Sequence, residues 1–313
     1  MLKQDHYKTS VYKTPFHERT SELNILNEWY RWKDYTVPNS YFRTDLEYFA
    51  ARNSTAVFDV TPMTKHKITG NDSEAFVNQF FTRDMKKVGA GRVGYVVWCD
   101  EDGNVIDDGT VFHVRPGEYW LLCVERQLDN LGRCAIGFDV QVEEITDDVP
   151  GLAIQGPTSC SILKAMGFEG IENLKPFDLK HYSFNGEELM ISRTGFTGDL
   201  GYEVFMSKNI ALPFWDKLFA EGEIFGIKPM GIEALDYVRI EAGLLQPGVD
   251  FIVADIAVRP GVTRSPFELG LSWQVDFSKP VFNGRQALLE EKKRGSKYTF
   301  LKLNIQGNKP AHG

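Results

Sequence analysis

Three runs rich in β-branched and aromatic residues, over 94–98, 105–114 and 119–124, read as strands. Asp102-Gly103 and Arg115-Pro116-Gly117-Glu118 separate them with turn signals, so this segment is expected to fold as an antiparallel meander. Upstream, Phe76, Val77, Phe80 and Phe81 recur at helical spacing behind Asp72, which predicts a helix with one apolar stripe and an aspartate cap. Residues 139–145 form another strand candidate. Gly151-Leu152-Ala153-Ile154-Gln155-Gly156-Pro157 then runs from strand into helix, with Pro157 at the first helical position and Gly167 at the stop. Strands over 188–193 and 202–206 flank the glycine-rich run Thr194-Gly195-Phe196-Thr197-Gly198-Asp199-Leu200-Gly201. Helices follow over 213–221, with Phe214, Trp215, Leu218 and Phe219 inward, and over 231–244, where Ile232, Leu235 and Val238 repeat every third position. The succession predicts two α+β units.

With 313 residues, 42% hydrophobic and 25% charged, the chain has material for one large or two smaller domains, and disorder is not the expectation. A net charge of -8 and a pI near 5.4 argue against a nucleic-acid-binding surface, which needs clustered Lys and Arg. Cys99, Cys123, Cys134 and Cys160 show no C-x-x-C pairing and sit in apolar contexts, which predicts buried reduced thiols in a cytoplasmic protein. Residues 1–20 lack the apolar centre of a secretory signal, and no window approaches the roughly 20 apolar residues of a membrane span, so no membrane partner is expected.

Asp107 and Asp108 stand side by side within a strand, where successive side chains point to opposite faces, so only one of them can serve a given pocket. By alternation Asp108 shares its face with Ile106, Thr110, Phe112 and Val114, and Asp107 shares the less apolar face of Val105, Gly109, Val111 and His113. A carboxylate among apolar neighbours is neutralised, paired or aimed at a ligand, and on these grounds Asp108 is expected to titrate above Asp107. The plain alternative is a solvated strand residue beside a turn cap. Gly195, Gly198 and Gly201 would let a backbone approach a ligand closely, or would simply shape a long hairpin loop. Arg239, at the edge of its helix stripe, either snorkels to water or reaches into a cleft. Trp29, Tyr30, Trp32, Tyr35 and Tyr41 suit a core or a pocket wall. The histidines (His6, His17, His66, His113, His181, His312) show no metal-ligand spacing, so no metal is expected. No G-x-G-x-x-G after a strand, Walker loop or G-x-S-x-G occurs, which leaves the chemistry to carboxylates, an arginine, aromatics and a bound organic cofactor.

Seven stretches then carry a resemblance. They are Thr14-Pro15-Phe16-His17, Phe58-Asp59-Val60-Thr61-Pro62-Met63, Val105-Ile106-Asp107-Asp108, Leu152-Ala153-Ile154-Gln155-Gly156-Pro157, Arg193-Thr194-Gly195-Phe196-Thr197-Gly198-Asp199-Leu200-Gly201-Tyr202-Glu203, Arg239-Ile240-Glu241-Ala242-Gly243-Leu244 and Asn283-Gly284-Arg285-Gln286-Ala287-Leu288. In order and spacing they resemble the T-protein (aminomethyltransferase) family of the glycine cleavage system and its tetrahydrofolate-dependent demethylating relatives. The resemblance implies an α+β fold in which two folate-binding halves surround a central channel, followed by a C-terminal β-barrel. It places the folate-binding domain over residues 1–290, with subdomains of roughly 58–148 and 1–57 plus 149–255. The start of the barrel, cut short, falls over 291–313, with a first strand at 298–303.

The same resemblance makes the Asp107/Asp108 pair the catalytic carboxylate position and favours Asp108, since the dimethylglycine-oxidising branch keeps the second acid. It gives Glu203 to the pterin, whose N–H donors match a carboxylate that only accepts. Arg239, Tyr95, Phe196 and Met63 are implied to contact or line the tetrahydrofolate site. The implied function is transfer of a methylene or methyl group from a small donor to tetrahydrofolate, with Asp108 stabilising developing positive charge. An aminomethyl donor on a lipoyl carrier protein would give methylene-tetrahydrofolate and ammonia; a simple methyl donor would give methyl-tetrahydrofolate. Two departures leave the donor open. Thr61-Pro62-Met63 stands where members dedicated to glycine cleavage usually carry Ser-His-Met, and the aromatic segment 21–41 is longer than theirs. The rival readings are a folate module acting beside an oxidase and a non-catalytic folate-binding protein, whose Lys-Gly-Cys-Tyr-x-Gly-Gln motif does not occur here.

Overall fold

The computed structural model describes residues 12–303. The strand Gly151–Gln155 is buried along its whole length. Its Leu152 and Ile154 join one apolar cluster and Ala153 another, as alternation in a strand covered on both faces requires. It sits within a six-stranded sheet ordered Leu179–Phe184, Glu187–Ser192, Gly201–Phe205, Gly151–Gln155, Ala56–Asp59 and Lys228–Pro229, antiparallel except at the last pair. A five-stranded antiparallel sheet is ordered Arg92–Cys99, Val105–Arg115, Glu118–Cys123, Thr64–Thr69 and Gln141–Glu144, so the expected meander is present and is extended by two further strands. In a small third sheet Tyr35–Ser40 pairs with Tyr12–Lys13 and Glu28–Trp32.

Helices Ser159–Ala165 and Lys208–Gly222 cover one face of the six-stranded sheet through Ile162, Leu163, Phe214, Trp215 and Leu218. Helix Ser73–Phe80 covers one face of the five-stranded sheet, packing Phe76, Val77 and Phe80 with Val111 and Leu121. The uncovered faces meet each other. Phe112 lies edge-on to Phe205 with ring centroids 5.5 Å apart, in one cluster with Phe58, Leu122 and Ala153. The α+β expectation therefore holds as two halves stacked sheet to sheet, one sheet drawn from residues 64–144 and the other from 56–59 and 151–229.

Several local expectations change. Lys208–Gly222 begins at 208 rather than 213, which leaves Pro213 inside the helix. An interior proline costs about 3 kcal/mol, whereas burying Phe214, Trp215 and Leu218 stabilises by roughly 1.5–3 kcal/mol each, so packing overrides the breaker. Pro157 lies outside its helix, ahead of the cap residue Thr158, while Gly167, at φ 99°, follows the helix end as expected. Asp72 occupies the cap position of Ser73–Phe80, but its carboxylate accepts the Asp139 N–H at 2.8 Å instead of capping. Residues 291–294 finish helix Arg285–Arg294, and 298–303 form no strand. Residues 304–313 of the expected barrel start lie outside the described residues, as do 1–11, His6 and His312. Cys99 and Cys123 are buried free thiols, whereas Cys134 and Cys160 are only half-buried. Among the described residues no helix is long and apolar enough to cross a membrane.

Candidate functional site

Where the layer between the two sheets opens, Phe58, Val60, Leu122, Ala153 and Met230 line a cavity of about 960 Å³. That is the upper end of the roughly 300–1,000 Å³ usual for small-molecule sites. Asp108, Glu203, Tyr95, Phe196 and Met63 line it; Asp107 and Arg239 do not.

Strand Val105–Arg115 is held between two partners, with Asp108 opposite Val97 and its neighbour Gly109 opposite Cys123. Asp108 and Thr110 face the cavity. Asp107 points the other way into full burial, where Oδ1 accepts the Asp108 N–H at 2.9 Å and Oδ2 accepts from Glu125 N (3.3 Å) and Gln127 Nε2 (3.4 Å). The pair thus divides as alternation predicts, but Ile106 does not share the Asp108 face. Trp98 pairs with Asp107 and Cys99 with Val105, so Ile106 is the extra residue of a β-bulge. It packs with Trp98 and Val111 beneath the helix, and Val105 turns instead to the side of Val97.

Asp108 Oδ2 accepts the Tyr95 hydroxyl at 2.5 Å, and Oδ1 has no donor among the described residues. Burial pushes the Asp108 carboxyl up to about 7, with the Tyr95 hydrogen bond pulling the other way. Burial and then the adjacent Asp108 charge push Asp107 well above the carboxylate range. Burial thus raises both carboxyls, and Asp107 carries the repulsion of Asp108 on top of its own desolvation.

Glu203 stands on Gly201–Phe205 opposite Ala153 on one side and Ser192 on the other. Its Oε2 accepts the Thr194 hydroxyl, and its Oε1 has no donor among the described residues. Burial raises the Glu203 carboxyl, opposed by the Thr194 hydrogen bond and the Lys65 charge. Thr110 Oγ1, buried in the same wall, also has no partner among the described residues. Lys65 is fully buried and donates to the carbonyls of Thr61 and Met63, each at 2.9 Å, while burial pushes its ammonium down to about 7. Asp59 accepts from Thr14 Oγ1 (2.6 Å) and Thr61 N (2.9 Å). Lys65 and Asp59 together pin the loop that presents Met63.

Each of the three glycines of the 194–201 loop makes room for a side chain, Gly198 for Ala242, whose Cβ would lie 2.6 Å from an added Cβ. A Cβ at Gly195 or Gly201 would lie 2.0 or 2.1 Å from Gln155 Oε1. The enclosed Gln155 amide donates to Thr194 O and Tyr202 O, both at 3.2 Å, and accepts from Thr197 Oγ1 at 3.1 Å. From outside, Arg52 clamps the loop through Thr197 O (2.7 Å) and Asp199 (2.6 Å). Phe196 is thereby carried on a fixed loop.

Arg239 neither snorkels nor reaches the cavity. At 2% exposure on helix Ile232–Ala242, it donates to Asp236 (3.0 Å), Leu244 O (3.3 Å) and Asp250, which fastens residues 244–249 as part of the cavity wall. The aromatic segment serves both expected purposes. Tyr35 and Tyr41 are buried, while Tyr30 and Trp32 line the cavity, Trp32 stacked on Phe58 at 5.9 Å. Thr110 could be found from the sequence by its alternation with Asp108. Lys65, Gln155 and the cavity-lining Lys33 could not, because a lone Lys or Gln carries no local signal. No group of His, Cys, Asp and Glu among the described residues is arranged to hold a metal ion.

A family model described as the GCVT N-terminal domain matches residues 17–279. The chain is 32% identical over 313 residues to an aminomethyltransferase of Caldanaerobacter subterraneus subsp. tengcongensis, covering 96% of this chain and 79% of that one. It is 31% identical over 284 residues to the aminomethyltransferase of Bacillus subtilis, covering 88% and 76%. A trimethylamine-oxide aldolase of Ruegeria pomeroyi is 36% identical over 275 residues, which are 84% of this chain but 34% of that longer protein. Among solved structures, glycine cleavage system aminomethyltransferase T from Bartonella henselae superposes with a TM-score of 0.79 at 23% identity, over 91% of this chain and 76% of that one, a likeness of fold.

Proposed function

The chain belongs to the GCVT N-terminal domain family, and from that membership we propose that its cavity holds tetrahydrofolate while a one-carbon unit passes to it from a small donor. It is a one-carbon transferase of the aminomethyltransferase type. The observation that carries the proposal is a pair of carboxylate oxygens in one cavity, Glu203 Oε1 and Asp108 Oδ1, neither with a donor among the described residues. Such acceptors call for a ligand rich in N–H groups, as a pterin is. Glu203 would hold the pterin, with Thr110 Oγ1 as a further contact and Tyr95, Phe196 and Met63 as walls. Arg239 is a positioning residue that acts through the 244–249 wall.

Tetrahydrofolate, when bound, supplies the nucleophilic nitrogen that takes up the one-carbon unit. Asp108 supplies a fixed negative charge where positive charge develops on the donor. Tyr95 orients that carboxylate and keeps it ionised to lower pH. Tyr95→Phe is therefore expected to raise the Asp108 pKa and to move the acid limb of the kcat/KM profile upward from about pH 7. A pH–rate series on parent and variant checks this, and a limb that stays in place would detach activity from Asp108 ionisation.

The donor would carry a methyl or aminomethyl group on nitrogen, sulfur or oxygen; an aminomethylated lipoyl carrier protein is the one macromolecular candidate. Incubation of the protein with tetrahydrofolate and a donor panel that includes such a carrier, with the folate product identified by mass, tests the reading. A folate product heavier by a methylene or a methyl group is expected. Unaltered folate with every donor would leave a folate-binding protein without transferase activity.

A further inference from the structure

We propose that Lys65 is a positioning residue of the folate site, a buried ammonium on one sheet that supplies the counter-charge for the Glu203 carboxylate on the other. The proposal rests on the reading of the cavity as a folate site held by Glu203. Lys65 stands on Thr64–Thr69 opposite Leu122 and shares its face, so its side chain enters the layer between the two sheets, where Leu122 and Phe205 belong to one apolar cluster. The ammonium donates to the carbonyls of Thr61 and Met63 and lies 5.8 Å from the centroid of the Phe205 ring. That ring has its place because Gly151, opposite Phe205, has no side chain: a Cβ there would lie 2.8 Å from the ring. Glu203 precedes Phe205 by two residues on Gly201–Phe205, so it projects from the same face about 7 Å along the strand.

Both bonds of the ammonium run to uncharged carbonyls, and a buried charge held by neutral partners alone is disfavoured. Burial is the largest influence on Lys65 and pushes it down to about 7; Asp59, Glu203 and Asp147 attract its charge, and Lys33 repels it. The two nearer carboxylates differ in what else supports them. Asp59 accepts from both Thr14 Oγ1 and Thr61 N, whereas the charge of Glu203 is favoured by the Thr194 hydroxyl and by Lys65. Loss of the Lys65 charge therefore falls hardest on Glu203.

Lys65 does not line the cavity, so its effect on a ligand passes through Glu203. An ionised carboxylate offers only acceptors to the N–H groups of a pterin, whereas a protonated one carries a donor of its own. On the acid side of about pH 7 Lys65 is charged, and there its charge favours the ionised Glu203. The lysine thus extends to lower pH the range over which the cavity holds a folate. A lysine that served only to pin the loop of Met63 would affect binding equally at every pH.

Calorimetric titration with 5-formyltetrahydrofolate, from about pH 9 down to about pH 5, would compare the parent with Lys65→Met and Lys65→Arg. The ligand's own ionisation is common to the three proteins and cancels in the ratio of their affinities. The deficit of Lys65→Met relative to the parent should widen by about tenfold as pH falls, equivalent to a Glu203 titration moved up by about one unit. Lys65→Arg should follow the pH dependence of the parent, whatever its bulk costs at every pH. A deficit that is constant across the range would overturn the proposal, reduce Lys65 to a pin of the Met63 loop and leave the folate reading standing. A parent that fails to bind 5-formyltetrahydrofolate would overturn the folate reading, and the proposal with it. A second measurement does not depend on the folding of Lys65→Met. Coupling between two sites is reciprocal, so Glu203→Gln should lower the Lys65 pKa by the same unit or so, read by NMR titration of its Cε and assigned by its absence from Lys65→Arg. A Lys65 titration that Glu203→Gln leaves in place would overturn the proposal.

Discussion

Asp108→Asn is expected to lower turnover by on the order of a hundredfold or more while leaving folate binding nearly unchanged. The substitution keeps the size of the side chain and still lets Tyr95 donate to an oxygen, so what it removes is the charge facing the cavity. Asp107→Asn should cost far less turnover, because Asp107 is enclosed among Glu125, Gln127 and the backbone of Asp108 and does not line the cavity. Stability supplies an independent readout. A carboxyl whose pKa rises on folding, here from 3.8 to about 7, penalises the native state progressively as pH climbs between those values, and by a constant amount above them. Removing it should make Asp108→Asn more heat-stable than the parent, with a Tm difference that grows from about pH 4 to about pH 7 and then levels off. If Asp107→Asn proves the damaging change and Asp108→Asn the mild one, the functional assignment within the pair is reversed.

Glu203→Ala is expected to weaken folate binding by roughly ten- to a hundredfold, the loss of one charged hydrogen-bonding partner at about 1.5–3 kcal/mol. The fold should tolerate the change. Glu203 is buried against a cost, its carboxyl raised by desolvation, and its one described side-chain bond is to Thr194, which retains Ser192 Oγ at 2.6 Å as an alternative partner. Equal folate affinity in parent and variant would reassign Glu203 to structure.

The parts of this site that are legible in the sequence depend on local backbone geometry. Opposite faces for Asp107 and Asp108 follow from strand alternation alone, and so does the company of Thr110. Ile106 escapes the same argument because a bulge is set by the register with the partner strand, where Val105, Ile106 and Asp107 stand opposite only Trp98 and Cys99. The glycines at 195 and 201 signal close approach correctly, but what approaches is Gln155, an amide from a distant strand whose identity no local pattern reveals. Arg239 is out of reach for the same reason: the partner that draws it inward, Asp250, lies in an irregular segment with no periodicity to read. Helix Lys208–Gly222 shows the converse, a strong local signal at Pro213 outweighed by the tertiary burial of its neighbours. Ordered motifs carry the family because they pin loops around the cavity, as Thr14, Asp59 and Thr61 do in one hydrogen-bonded group.

The claim that the cavity between the sheets is a folate site is tested most directly by thermal unfolding under anaerobic conditions, with and without tetrahydrofolate. A ligand that binds only the native state stabilises it by about 2.7 kcal/mol at a hundredfold excess over Kd, which for a chain of this size is a Tm rise of a few degrees. That rise is expected in the parent and in Asp108→Asn, and most of it should be lost in Glu203→Ala at the same folate concentration. A parent Tm that does not move at saturating tetrahydrofolate would contradict the account.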